Sequence, residues 1–141
     1  MDIEVTFPGG KRVDATVGAF TLRTDQPTEL GGEGSAIAPF EAFLASLATC
    51  AGIYALGFCQ ARKLPTEGLK LTQRYEVDPE TKLPSMISLT LQLPDGFPEM
   101  YRGAIVRAVE GCKVKRTIMA PPSFEVVALS PKVSAVVLPG A

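Results

Sequence analysis

Residues 2–7 and 11–17 alternate apolar and polar positions on either side of Pro8-Gly9-Gly10, the pattern of a β-hairpin. A third strand is predicted over 19–25, after a turn at Gly18. Residues 26–37, rich in Gly, Pro, Thr and Glu, read as a loop. Pro39 then opens a long helix, because its fixed φ and missing N–H suit a first turn. That helix runs to about Lys63 and stops ahead of Pro65. Residues 67–78 and 85–94 read as two further strands, with a turn beginning at Asp78-Pro79-Glu80. Pro98 opens a helix whose apolar face is Tyr101, Ile105, Val109 and Cys112, at helical spacing. Lys113–Met119 fits another short helix, ended by Pro121-Pro122, and 123–129 and 133–138 read as final strands. The order βββ-α-ββ-α-β predicts an α+β fold with antiparallel sheets, as one domain over 1–141.

The long helix is unusual in its lack of charge. Ala42 to Ala61 is 20 positions without a charged residue, long enough to raise the question of a membrane span. Ser46, Thr49, Cys50, Cys59 and Gln60 dilute it, no second apolar segment exists, and strands follow directly, so a span is not expected. A soluble helix that is apolar all round must be covered all round. A chain of 141 residues has little left to wrap it with, and a two-fold homodimer is the simplest cover.

Charge and composition narrow the chemistry. The formal net charge is −1 and the basic residues are scattered, so neither nucleic acid nor an anionic membrane is an expected partner. Met1-Asp2-Ile3-Glu4-Val5 carries acids where a secretion signal would carry bases. Three sparsely spaced cysteines do not make a disulfide scaffold, and a reducing cytoplasm is the expected location. The chain contains no histidine, which removes the commonest general base and metal ligand. There is no Cys-x-x-Cys, and Gly9-Gly10-Lys11 lacks the remaining residues of a phosphate loop. No metal or cofactor is expected; thiols, carboxylates, Lys and Arg must supply any chemistry.

Cys50 shares a helical stripe with Phe43, Leu47 and Tyr54, and the ordinary role there is that of a small buried hydrophobe. Cys59, nine residues on, falls on the opposite face about 13 Å along the axis, a packing position. Cys112 closes an apolar helical face, where packing is again the ordinary role. It also precedes Lys113–Met119, whose positive end, with Lys113, Lys115 and Arg116, would favour a thiolate there. Glu41, in the first turn of the long helix, suits the helix dipole. It is also a candidate carboxylate for positioning an arginine or a proton beside a thiol. Nine residues separate Glu41 from Cys50, so a site using both draws on two subunits or on an irregular helix start.

Two segments resemble the OsmC/Ohr family (osmotically inducible protein C and organic hydroperoxide resistance proteins), in its broader OsmC-like branch. Residues 38–50, Ala-Pro-Phe-Glu-Ala-Phe-Leu-Ala-Ser-Leu-Ala-Thr-Cys, are similar to the family's Pro-x-Glu-Leu-Leu-Leu-Ala-x-Leu-x-x-Cys helix. Residues 112–118, Cys-Lys-Val-Lys-Arg-Thr-Ile, are similar to its Cys-Pro-Val-x-Arg-Thr-Leu. The resemblance implies an intertwined homodimer, with long central helices enclosed by antiparallel sheets and the active site at the subunit interface. It also implies reduction of organic hydroperoxides without metal, flavin or haem, with Cys50 peroxidatic, Cys112 resolving and a dithiol as reductant. The peroxidase members use an arginine in a Gly-Arg-acid-Gly setting that this chain lacks; Arg23 and Arg12 are nearest by position, and Arg23 is preferred. Glu41 matches the OsmC-like form of the carboxylate, Phe40 standing where the founders carry it. Lys113 replaces the usual proline, and Lys115 stands where many relatives have histidine.

Two other functions fit the same scaffold. An apolar interface pocket would suit a non-enzymatic binder of a small lipid-like ligand, with inert cysteines. A thiol redox sensor would use Cys50 for mixed disulfides and turn peroxide over slowly. Fold alone does not choose among the three.

Overall fold

β1 (Ile3–Gly9), β2 (Arg12–Val17) and β3 (Phe20–Leu22) form an antiparallel sheet in that order, with Ile3 opposite Val17 and Ala15 opposite Leu22. Gly9 and Gly10 make the first turn at φ of 140° and 58°, which residues with a Cβ rarely adopt. The computed structural model describes residues 1–130 and 133–140, so residues 131, 132 and 141 of the expected single domain lie outside the described ones.

The third strand is shorter than its pattern predicts, because the chain turns to other partners at Thr24 and Asp25. The Thr24 hydroxyl donates to the Val13 carbonyl, and the Val13 N–H donates to Thr24 O at 3.2 Å. Asp25, 1% exposed, then gathers the loop around its carboxylate. Oδ2 accepts from Ser35 Oγ (2.7 Å), Ser35 N (3.0 Å) and Glu33 N (3.2 Å), and Oδ1 accepts from Gln26 N at 2.8 Å. The loop closes so tightly that a Cβ on Gly32 would lie 1.9 Å from Gln26 O. This tether delivers the chain to the helix that follows.

α1 (Pro39–Ala61) has Pro39 at its first position, and Glu41 Oε2 reaches back to the Ala38 N–H at 3.2 Å. Its buried stripe is Leu44, Leu47, Ala51, Ala55, Phe58 and Cys59. Cys50 and its expected stripe partners Phe43 and Tyr54 flank that core line; Leu47 alone of the four is buried. The helix ends with Lys63 in the left-handed region, Lys63 N–H bonded to Gln60 O (3.1 Å) and Leu64 N–H to Cys59 O (2.9 Å). That Schellman closure turns the chain toward the next strand.

β4 (Lys70–Val77) and β5 (Pro84–Gln92) pair antiparallel, and Leu71, Ile87, Leu89 and Leu91 turn inward onto the core. A 3₁₀ turn over Glu99–Tyr101 leads into α2 (Arg102–Glu110), which buries Ile105 and Val109 against α1. After Gly111 and Cys112 comes α3 (Lys113–Met119), then the antiparallel pair β6 (Glu125–Ser130) and β7 (Val133–Pro139). The result is the expected α+β arrangement, with the later helical region divided in two.

α1 is long and apolar enough to cross a membrane by length and composition, yet its buried stripe makes it the core helix of this fold. Its other faces carry exposed Phe40, Phe43 and Ile53. Phe7 (78%) and Phe20 (79%) on the first sheet and Leu129 (81%) on β6 are likewise uncovered.

The Asp25 cluster sets an acid limit. Above all the Ser35 hydroxyl, then the Ser35, Gln26 and Glu33 amides, hold its pKa at about 2, against an ordinary 3.8. The ionised carboxylate therefore supports the fold fully above pH 4, and this support is lost as pH falls toward 2. Asp25→Asn is expected to lower the urea midpoint at neutral pH, with the gap from wild type closing between pH 4 and 2. A gap that stays constant with pH would contradict this role.

Candidate active site

α1 presents Cys50 half-buried, one residue before the core position Ala51. α2 and the Gly111 bend bring Cys112 back against the same side of α1, fully buried, with its Sγ 4.0 Å from Leu47 O. The two thiols lie close enough for each to shift the other's titration. α3 begins beside them, and the Val114 and Lys113 N–H groups face the Cys50 sulfur. These amides belong to the first turn, where a helix supplies no carbonyl partner.

The electrostatics divide the pair. The Val114 amide, then the Cys112 thiol, the Lys113 amide and the Lys113 charge bring the Cys50 pKa below that of an ordinary thiol, against some opposing desolvation. Cys112 moves up, chiefly through burial and then through its neighbour Cys50, although the Lys115 and Val114 amides oppose this. Cys50 is thus the sulfur that ionises more readily, and Cys112 the one that keeps its proton longer. The start of α3 does pull the Cys112 pKa down, as expected, through the Lys115 and Val114 amides, but burial outweighs it; Cys50, delivered half-buried by α1, gains from the Val114 and Lys113 amides with less burial against it. Cys59, also expected to pack, is fully buried in the core, and burial raises its pKa.

Glu41 caps its own helix, a solvent-exposed contact worth about 0.3–1 kcal/mol. Arg23 is exposed just past β3 and makes no hydrogen bond or ion pair among the described residues. The single chain therefore joins Cys50 to Cys112 and brings neither Glu41 nor Arg23 into a described contact with them. Among the described residues, no group of three or more Cys, Asp or Glu is placed to hold a metal ion.

β5, α2 and α3 line an open, largely apolar groove of about 770 Å³ that reaches α1 at Leu47 and has neither Cys50 nor Cys112 in its wall. Leu47 lines it while its carbonyl receives the Cys112 thiol; Leu89, Ile105, Val109 and Ile118 form more of the wall, with Arg102 and Lys115 at the polar positions. Lys115 pairs with Glu110 across the Gly111 bend at 3.8 Å. Sequence reading missed this cavity, and it missed Gln73. Gln73 occupies an inward position on β4, donates Nε2 to Leu44 O at 3.0 Å and keeps a buried, unpaired Oε1. A polar residue at an inward strand position was the available signal.

The family model for OsmC-like proteins matches residues 32–127, a span that holds both cysteines, α1, α2 and α3. The chain belongs to the OsmC-like family. Its fold is similar to that of an OsmC-like protein from Mycoplasma pneumoniae, at 18% identity and TM-score 0.66, covering 85% of this chain and 87% of that one. A Psychrobacter arcticus structure described as an osmotic stress and detoxification response protein gives 17% identity and TM-score 0.70, covering 82% and 85%. An organic hydroperoxide resistance protein from Legionella pneumophila gives 22% and 0.54, covering 83% and 87%. At these identities the likeness is one of fold. Among curated proteins, none matches the chain in sequence.

The thiol ranking is directly measurable. In reduced native protein, iodoacetamide is expected to modify Cys50 first, with the midpoint of its pH profile below an ordinary thiol's 9.0. Cys112 and Cys59 are expected to label only on unfolding. Prior labelling of Cys112 in a peptide map would reverse the assignment.

Proposed function

We propose that the chain is a thiol-dependent reductase of organic hydroperoxides, with Cys50 peroxidatic and Cys112 resolving. The observation that carries this reading is the juxtaposition of two free thiols, Cys50 half-buried on α1 and Cys112 buried against Leu47 O of the same helix, with ionisation favoured at the first and disfavoured at the second. The thiolate attacks the terminal peroxide oxygen and the O–O bond breaks. The inner oxygen takes up a proton and leaves as the alcohol, and Cys50 becomes a sulfenic acid. The Cys112 sulfur then displaces that oxygen as water, giving a disulfide that a dithiol returns to two thiols. The apolar cavity beside Leu47 supports an organic rather than a small polar peroxide.

The working form in this reading is a cytoplasmic homodimer. Uncovered apolar residues on the first sheet, on α1 and on β6 support it, since an isolated soluble chain rarely leaves so much apolar surface bare. A subunit interface is also the route by which Arg23 reaches the partner's thiols, where its guanidinium would stabilise the leaving alkoxide; Glu41 would orient it. This agrees with the names of relatives such as the Legionella pneumophila hydroperoxide resistance protein.

Steady-state turnover of cumene hydroperoxide with dithiothreitol tests the reading. Wild type is expected to exceed its own rate with hydrogen peroxide. Cys50→Ser should fall to the uncatalysed rate, and Cys112→Ser should consume about one equivalent per chain before over-oxidation stalls it. Arg23→Ala should slow the reaction by about a hundredfold. Equal, background-level rates for wild type and Cys50→Ser would overturn the enzyme reading and favour the binder of an apolar ligand.

A further inference from the structure

We propose that the reductant attacks the Cys50 sulfur of a Cys50–Cys112 disulfide and expels Cys112, so that one sulfur meets both the peroxide and the dithiol. The inference rests on the reading of these two cysteines as a redox pair and adds the direction of its reductive half. Its basis is access. Cys50 is half-buried on α1, whereas Cys112 is 0% exposed. Cys112 Sγ lies 4.0 Å from Leu47 O, and Leu47 is itself buried in the core. Ile105 and Val109 of α2 belong to the same buried cluster as Cys112. The Tyr54 ring packs over the neighbouring bend, where a Cβ on Gly111 would lie 3.7 Å from Tyr54 Cε1. A thiolate attacks a disulfide sulfur from the side opposite the sulfur that leaves, so the attacked atom needs an open approach. At Cys112 packed side chains fill that approach. Cys50 is the sulfur of the pair with accessible surface.

Leaving-group ability alone points the other way. Cys50 ionises more readily, so it would be the better leaving sulfur if both were equally open. That preference is graded, while reaching a fully buried sulfur requires the core around it to open. Access therefore decides. The reductant's thiolate forms a bond to Cys50 Sγ, and the Cys50–Cys112 bond breaks. Its electron pair leaves on Cys112 Sγ, which takes up a proton. Cys50 is left in a mixed disulfide with the reductant. The second thiol of a dithiol then attacks the reductant's own sulfur, releasing Cys50 as a thiolate and the reductant as a disulfide. A monothiol has no second group. Cys112 stays beside the mixed disulfide at a high effective concentration and returns the pair to its linked form. The placement of Cys112 thus selects dithiols over monothiols.

The test uses the full-length protein oxidised with diamide, which needs no peroxide. The linked protein is treated with excess 2-mercaptoethanol and quenched in acid at the earliest times. It is then alkylated with N-ethylmaleimide in denaturant and mapped by peptide mass spectrometry. The mercaptoethanol adduct is expected on Cys50 and the maleimide on Cys112, in about tenfold or greater excess over the reverse pattern. The same order is expected without the link: 2-hydroxyethyl disulfide should modify Cys50 in Cys112→Ser about tenfold or more faster than Cys112 in Cys50→Ser. Thermal melts identify a variant that fails to fold, and the linked wild type decides without either variant. An adduct mainly on Cys112, or equally on both, would overturn the proposal and leave the peroxidase reading standing. Reduction through Cys50 in a protein that turns over no hydroperoxide would sink the peroxidase reading alone. Failure of diamide to link the two cysteines would overturn both this step and the resolving role of Cys112.

Discussion

The Val114 amide, the Cys112 thiol and the Lys113 amide and charge, in that order, favour ionisation of Cys50. Each is supplied by the junction between α2 and α3, and none by α1, which carries the sulfur. The packing of that junction against α1 is consequently the constraint on which the site depends. It is built from ordinary core contacts: Ile105 and Val109 on α2 meet Leu47, Ala51 and Ala55 on α1, and Cys112 fills the gap that the Gly111 bend leaves. Small residues at 51 and 55 let the helices approach, so the near-absence of charge along α1 serves the site as well as the core.

The asymmetry of the two thiols has a simple physical origin. Both lose water, which by itself disfavours a thiolate. Cys50 is only half-buried and faces donors, so hydrogen bonding outweighs desolvation; Cys112 is fully buried, and desolvation wins. Burial keeps the proton on Cys112, whose S–H points to Leu47 O, while the α3 amides favour ionisation of Cys50. The groove that reaches Leu47 is apolar along Leu47, Leu89 and Ile118, which disfavours strongly hydrated species within it.

Much of this was legible in the chain. Pro39 and the uncharged run placed α1 to within two residues at its end, and the Pro8-Gly9-Gly10 turn and the alternation around it placed the first hairpin. The cysteines stood out through their motifs. What escaped was tertiary. The order Cys112-Lys113-Val114 pointed to the α3 amides serving Cys112, which they do, but not to their serving a sulfur 62 residues earlier or to burial deciding between the two. The third strand was overextended because nothing local announces that Asp25 will bind Ser35, ten residues on, in place of a ladder partner. Arg23 was chosen by position, in the absence of the family's arginine motif, and Glu41 by its place in the first turn and its match to the OsmC-like carboxylate; no described contact within one chain joins either to the cysteines.

The central claim is that Cys50 and Cys112 form one redox unit. It is tested most directly by treating the reduced protein with one equivalent of cumene hydroperoxide and mapping its non-reduced peptides by mass spectrometry. The account expects a loss of two hydrogens from the intact mass, a Cys50–Cys112 linked peptide and a free Cys59. Three free thiols, or a link that leaves out either Cys50 or Cys112, would contradict it.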